Sequence, residues 1–344
     1  MFVQNKQNMT QTEVVLVGIN GFGRIGRAVL AAALNNPSIR VVAINDPYIS
    51  AAYAGYLIEH DTTVGPMKCT VDVRKESIVV DGNLIAITQK SDPSSVPWSD
   101  NRAVYVLECT GVFSTQERAS AHLAGGASRV IIATATSDVP TIVIGANIET
   151  FRSSMQVICA GSSTGAALAP LIRLVNERYG VEHCSFTCIH AVTSGNKSID
   201  GTNSKDWRAA RSSANIVPIS CGGTKTLTKI FPHLNHKIVG STYRVPVSVG
   251  CVVDVLFKLE KPVSKSALEA VLTSYASNNK LILETSAEEL VSSDVVQSRA
   301  ALVVDLKASA ALDDLTHKLT LWFDNELGYA RALLSLVDAT NKIW

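Results

Sequence analysis

The chain has 344 residues, 47% of them hydrophobic and 18% charged, which is room for about two domains around sizeable cores. With 31 Lys and Arg against 30 Asp and Glu the net charge is +1, so there is neither a basic field for nucleic acid nor an acidic tail for a basic partner. No apolar run reaches the roughly 20 residues that a membrane-spanning helix requires, which argues against a membrane partner.

Residues 1–13 are polar, lack the apolar core of a secretory signal and are expected to form a flexible arm. The apolar run from Val14 to Val17 then leads into Gly21-x-Gly23-x-x-Gly26, followed by an Ala- and Leu-rich helical stretch to about Asn35. In such a unit one glycine permits the tight turn, one lets a pyrophosphate approach bare backbone, and one lets the helix lie close to the sheet. The helix N-terminus offers free N–H groups to the phosphates. Arg40–Asn45 reads as a second buried strand ending at Asp46, about twenty residues beyond Gly26, where a ribose-diol acceptor is expected and where an acid favours NAD over NADP.

Helices are expected at 50–58 and 114–123, the latter carrying His122, and strands at Ala103–Glu108, Arg129–Ala133, Thr141–Gly145 and Gln156–Cys159. Continuous apolar runs of this length suit a parallel sheet covered on both faces, with ligand beyond the strands' carboxyl ends. That places Thr110 and Gly111 at the cofactor edge. From about residue 180 longer alternating runs (Ser185–Thr193, Val249–Leu259, Ala301–Leu306, His317–Phe323) suit a mainly antiparallel sheet. Ser194–Gly223 is long and polar, the kind of loop that serves function or assembly. A last helix is expected over roughly Glu326–Lys342. The seven cysteines are scattered without zinc spacing, so no metal site is expected, and the usage suits a reducing, cytoplasmic compartment. Cys109 and Cys251 lie in apolar strands as small core residues, and Cys184 and Cys188 sit four apart on one strand face.

Several long motifs together are similar to the phosphorylating glyceraldehyde-3-phosphate dehydrogenase family. They are Gly18-Ile-Asn-Gly-Phe-Gly-Arg-Ile-Gly-Arg27, Ala43-Ile-Asn-Asp-Pro47, Glu108-Cys-Thr-Gly-Val-Phe113, His190-Ala-Val-Thr193, Tyr243-Arg-Val-Pro246 and Trp322-Phe-Asp-Asn-Glu-Leu-Gly-Tyr329. The resemblance covers the chain from about Val14 to its C-terminus. It implies an α/β fold: an NAD-binding Rossmann domain at 14–161, on which the C-terminal helix 326–344 packs, and an α+β catalytic domain at 162–325. It also implies glyceraldehyde 3-phosphate and inorganic phosphate as substrates, and a homotetramer in which Ser194–Gly223 packs between subunits.

One position departs from the family. Where the family has Ser-Cys-Thr-Thr-Asn, the register back from Leu168-Ala169-Pro170 gives Ser162-Ser163-Thr164-Gly165-Ala166, so Ser163 stands at the nucleophile position. A neighbouring imidazole and a helix N-terminus can bring a thiol pKa down to roughly 3.5–7.5. They cannot hold a serine alkoxide near neutrality, and a serine needs a base that takes its proton during attack. The resemblance makes His190 that imidazole; its plain alternative is a strand histidine satisfied by hydrogen bonds. By resemblance the substrate phosphate falls to Thr193 and Arg244, with Gly195 in place of a second threonine, and the attacking phosphate to Ser162, Thr164 and Gly222, with Cys221 in place of a threonine. The cofactor contacts fall to Gly21, Gly23, Arg24, Ile25, Gly26, Asp46, Thr110, Gly111, Asn325 and Tyr329, with Ala133 replacing a serine.

Cys221 and Cys159 are the nearest thiols that could stand in for the missing one. Three functions follow: the dehydrogenase with impaired or lost activity, a non-catalytic paralogue in a homotetramer or a tetramer mixed with an active paralogue, and a weak esterase built on Ser163 and His190.

Overall fold

The computed structural model describes residues 14–63, 65–193, 195–196, 207–212 and 214–344. The expected arm at 1–13 and, within the Ser194–Gly223 segment, residues 194, 197–206 and 213 lie outside the described residues.

The chain opens as a β-α-β unit. β1 (Val15–Asn20) is buried along almost its whole length, α1 (Arg24–Ala33) follows the glycine turn, and β2 (Ile39–Asn45) pairs with β1 in parallel. Next come α2 (Ala51–Glu59), whose Ser50 cap accepts the N–H of Tyr53, and the short strands β3 (Val71–Val73), β4 (Ser77–Val80) and β5 (Asn83–Thr88). β6 (Tyr105–Glu108), α3 (Gln116–Ala124), β7 (Arg129–Ile132) and β8 (Val157–Cys159) complete the first sheet. Its order is β3-β4-β5-β2-β1-β6-β7-β8, parallel from β5 to β8 with an antiparallel edge at β3 and β4. The strand order reverses between β2-β1 and β6, so a crevice opens there at the carboxyl ends.

The apolar run Thr141–Gly145 is not a strand. Only Thr141 bridges to Cys159, and the chain then turns through Gly145 at φ +78°. Asn147 takes the place of a neighbouring strand: its amide accepts the N–H of Val143 at 2.8 Å and donates to the carbonyl of Thr141 at 2.8 Å. Its apolar side chains are buried by packing rather than by pairing.

α4 (Ser163–Tyr179) leads into the second sheet, made of β9 (Val181–Ala191), β10 (Val217–Ile219), β11 (Ile238–Val245), β12 (Cys251–Leu259), β13 (Leu283–Ser286), β14 (Leu302–Asp313) and β15 (Thr316–Phe323). Its order is β10-β11-β9-β12-β15-β14-β13, antiparallel except for the β11–β9 and β13–β14 pairs. The alternation is clearest in β12, where Cys251, Val253, Val255, Phe257 and Leu259 all face inward. α5 (Gly222–Ile230) and α6 (Lys265–Asn278) cross between strands. The α/β fold expected from sequence, a Rossmann-type parallel sheet followed by a mainly antiparallel one, is the one observed.

α7 (Leu327–Ile343) returns from the end of β15 to pack along α1. Leu333, Leu334 and Val337 join the core that contains Val17, Ile19 and Leu30 of the first sheet's layer. Leu333 is fully buried, so Leu333→Ala leaves a cavity and is expected to lower unfolding free energy by about 2–5 kcal/mol, read from urea denaturation.

Candidate active site

A cavity of about 790 Å3 lies beyond the carboxyl end of the first sheet and is closed on its other side by loops of the second. One of its walls is the glycine turn. Gly21 sits at φ +90°, where a side chain is strained, and a Cβ there would lie 2.7 Å from the Thr110 methyl. A Cβ on Gly26 would lie 2.1 Å from the Gly21 carbonyl oxygen, so α1 can approach the turn only without one. A Cβ on Gly23 would meet nothing within 4 Å, which leaves bare backbone at the cavity wall. α1 begins without a side-chain cap, so the N–H groups of Arg24, Ile25 and Gly26 remain free for an anion.

Asp46 lines the same cavity. Its carboxylate accepts the N–H of Phe22 at 2.9 Å and that of Tyr48 at 3.0 Å, which ties the end of β2 to the glycine turn and fixes the acid at the rim. Arg24 turns its guanidinium across to the second sheet's loops. It donates to the Val192 carbonyl at 2.6 Å and to that of Ser248, and it pairs with the buried Glu326. That leaves its backbone N–H, not its side chain, available to a phosphate, while the guanidinium clamps the two halves together.

Asn325 accepts the Gly250 N–H at 3.2 Å and the Cys251 thiol at 3.3 Å through Oδ1, which leaves its Nδ2 as the donor at the cavity wall. Tyr329 is buried and donates its hydroxyl to the Gly161 carbonyl at 2.5 Å, bracing the turn just before α4; burial holds its phenol well above the usual range. These residues fit a dinucleotide: uncapped N–H groups for the pyrophosphate, an acid for a ribose, and an amide donor for a carboxamide.

α4 supplies the other wall. Ser162 caps it, its Oγ accepting the Gly165 N–H at 3.1 Å, and Ser163 is the first helical residue. Thr226 of α5 locks this turn: its Oγ1 accepts the Ser162 N–H at 3.0 Å and lies 3.1 Å from the Gly222 carbonyl, to which it donates. A Cβ on Gly165 would stand 2.4 Å from the Thr226 Cβ, so Thr226 occupies the space that any side chain at 165 would need. Thr164 contacts the buried Cys188 thiol at 3.7 Å.

His190, at the end of β9, is buried with its ring edge-on to Phe323. Arg244 of β11 pairs in register with it and points Nη1 at both His190 Nδ1 and the Ala191 carbonyl. Nδ1 stands between two partners that ask opposite things of it: the Arg244 guanidinium only donates, and the Ala191 carbonyl, 2.8 Å from Nδ1, only accepts. Burial first, and the Arg244 charge second, push the His190 pKa down to about 3. The imidazole is neutral. Thr193 is held by Asn196, to whose Oδ1 its N–H and hydroxyl lie at 3.0 and 3.1 Å, and the buried Nε of Arg244 has no hydrogen-bond partner among the described residues.

Ser162, Ser163, Thr164, His190, Thr193, Gly222, Arg244, Asn325 and Tyr329 therefore share one cavity with Gly21, Gly23, Arg24, Ile25, Asp46 and Thr110. Gly26, Gly111 and Cys221 stand outside its lining: Gly26 acts through packing, Gly111 shapes its turn at φ +68°, and Cys221 caps α5. Cys159 is buried, its thiol donating to the Thr134 carbonyl at 2.8 Å. Burial pushes the thiols of Cys184 and Cys188 up to about 12 and those of Cys109 and Cys251 upward as well. The cavity also takes in Lys90, Lys225 and Glu326, which sequence reasoning missed. Lys225 had a signal, since it lies one turn after Gly222 on the same face of α5.

Gly26→Ala drives a methyl into backbone and is expected to cost about 1–3 kcal/mol of stability and to abolish dinucleotide binding by titration calorimetry. For His190 the folded pKa lies below the unfolded one, so the unfolded state takes up the proton first. Stability is expected to fall as pH drops from the ordinary histidine range of about 6.5 towards 3, and His190→Gln to flatten that slope in urea melts at pH 7 and pH 5.

Comparison with known proteins agrees with this geometry. Residues 15–116 match the family described as glyceraldehyde 3-phosphate dehydrogenase, NAD binding domain, and residues 162–325 match glyceraldehyde 3-phosphate dehydrogenase, C-terminal domain. The chain is 43% identical over 331 residues to glyceraldehyde-3-phosphate dehydrogenase of Podospora anserina, covering 95% of this chain and 98% of that protein. It is 41% identical over 333 residues to glyceraldehyde-3-phosphate dehydrogenase 2 of Mucor circinelloides f. lusitanicus (96% and 98%) and 42% identical over 326 residues to glyceraldehyde-3-phosphate dehydrogenase 1 of Schizosaccharomyces pombe (94% and 97%). The cofactor for which the glycine turn is built is NAD. Across both sheets, the chain belongs to the glyceraldehyde-3-phosphate dehydrogenase family.

Proposed function

We propose that this chain is an NAD-binding member of the family whose oxidative phosphorylation of glyceraldehyde 3-phosphate is impaired or lost, because Ser163 stands where the nucleophilic thiol belongs. NAD, when bound, supplies the hydride acceptor. The protein must supply an atom that adds to the aldehyde carbon and later leaves from an acyl group. A serine hydroxyl does the first only if a base takes its proton. The observation that carries the reading is the state of His190: buried, neutral and opposed by the Arg244 guanidinium at its Nδ1, so it brings no positive charge to favour an anion at residue 163. In the family's chemistry a thiolate stabilises a cationic imidazole. Here Arg244 and Arg24 are the charges that bear on that ring, and both oppose protonation.

The esterase reading needs in addition an acid to orient His190, and the groups against its Nδ1 are the Arg244 guanidinium and the Ala191 carbonyl. Substrate and inorganic phosphate binding are the better-supported remnants: Arg244 and Thr193 on one side, Ser162, Thr164 and Gly222 on the other, all at the cavity except for any contribution from Cys221. We place the NAD-binding unit at 14–161 with 326–344 and the catalytic unit at 162–325. A cytoplasmic homotetramer, or a tetramer shared with an active paralogue, accords with this reading and makes the chain a structural or regulatory subunit.

The test is NADH formation from glyceraldehyde 3-phosphate, NAD and phosphate by the wild type beside Ser163→Cys. The wild type is expected to turn over at least three orders of magnitude more slowly than an intact enzyme, on the scale of removing a nucleophile, and Ser163→Cys to gain activity. Wild-type turnover equal to that of a thiol enzyme overturns the proposal.

A further inference from the structure

Beneath the cavity runs a buried polar chain that the proposed chemistry does not use. It crosses the carboxyl ends of β5, β2, β1 and β6 and continues into α3. Its directions can be assigned link by link, because its ends are groups that only donate. The backbone N–H of Lys90 donates to Asn45 Oδ1 at 2.9 Å, and Thr88 Oγ1 lies 2.8 Å from the same oxygen. Asn45 Nδ2 must then be the donor to Asn20 Oδ1 at 2.7 Å, and Asn20 Nδ2 the donor to Glu108 Oε2 at 2.5 Å.

From the other side the indole N–H of Trp98 donates to His122 Nδ1 at 3.1 Å. That leaves the proton on His122 Nε2, 3.0 Å from Glu108 Oε2. The second oxygen, Oε1, accepts the Thr110 N–H at 2.7 Å and the Thr110 hydroxyl. Every partner of Glu108 is a donor. The carboxylate is therefore the sink of the whole chain and needs no proton of its own, although Asn20, Asn45, Glu108, His122 and Trp98 are all almost fully buried.

We infer that Glu108 is the positioning residue of the cofactor floor, holding Thr110 against the glycine turn through a donor chain that converges on its carboxylate. Thr110 is the contact that matters: its methyl and backbone N–H occupy the space that a Cβ on Gly21 would need, so a pinned Thr110 keeps Gly21 in its left-handed turn and the first turn of α1 aimed at the cavity. Asn20, Asn45 and Thr110 themselves line the cavity, so the chain forms its floor at the point where strand order reverses. A buried network satisfied at every link rigidifies what it touches, and one wrong link is costly. In Glu108→Gln one acceptor oxygen becomes an NH2 group facing only donors.

The inference rests on NAD as the occupant of the cavity. NAD affinity is measured by titration calorimetry on the full chain, wild type beside Glu108→Gln, together with the melting temperature of each. The variant is expected to bind NAD roughly tenfold more weakly or worse, a loss that persists at temperatures where it is fully folded. A variant that melts earlier but binds NAD as the wild type does overturns the positioning role while leaving the NAD assignment standing. Failure of the wild type to bind NAD overturns both. Should the variant not fold, neutron diffraction from wild-type crystals decides independently of it. Deuterium on His122 Nε2, with none on His122 Nδ1 or the Glu108 carboxylate, is the expected result. Deuterium on Glu108 or on Nδ1 overturns the donor chain.

Discussion

The site depends on a close approach between α1 and the turn after β1, where Gly26 packs against the Gly21 carbonyl with no room for a methyl. That contact sets the angle at which α1 leaves the sheet, and so where its uncapped N–H groups point. The rest of the cofactor wall is arranged around it. Asp46 ties the end of β2 to Phe22, Thr110 backs onto Gly21, and Arg24 reaches from the first turn of α1 to the loops that carry Val192 and Ser248. Moving α1 would move all three.

The reaction side has a second constraint, electrostatic rather than steric. The buried imidazole of His190 has the guanidinium of Arg244 against it and feels that of Arg24 beyond. A ring in that field stays neutral unless an anion joins it. A thiolate would be such an anion and the hydroxyl of Ser163 is not, so the side chain at 163 bears on the state of its neighbour as well as on its own reactivity. Thr226 supports the turn that carries Ser163 by packing. It fills the space beside Gly161 and Gly165 and hydrogen-bonds the α4 cap, so the serine-bearing turn is well ordered even with glycine at 165.

Much of this was legible before any coordinates. The β1 turn, the ends of β2 and β6, the parallel-then-antiparallel division and the last helix follow from local patterns: apolar runs, glycine spacing and alternation. The strand expected at Thr141–Gly145 was not there, because a side chain, Asn147, met its backbone groups in place of a neighbouring strand. β3 and β4, at three and four residues, are too short to declare a period. At the site, motif residues such as Asp46, His190 and Asn325 were named from sequence. Lys90, Glu326 and the Trp98–His122–Glu108 chain were not, since their partners lie far away in the chain.

By itself, then, the order of residues determined which segments become strands and helices, where a dinucleotide turn forms, and that a hydroxyl stands at 163. These are properties of neighbours within a few positions. The tertiary fold alone decided what each buried group meets: that His190 stands against the Arg244 guanidinium, that Arg24 serves as a clamp, and that the donors of Asn20, His122 and Thr110 end on one buried carboxylate. Hydrogen-bond direction and charge state belong to pairs brought together through space, and no local pattern encodes them.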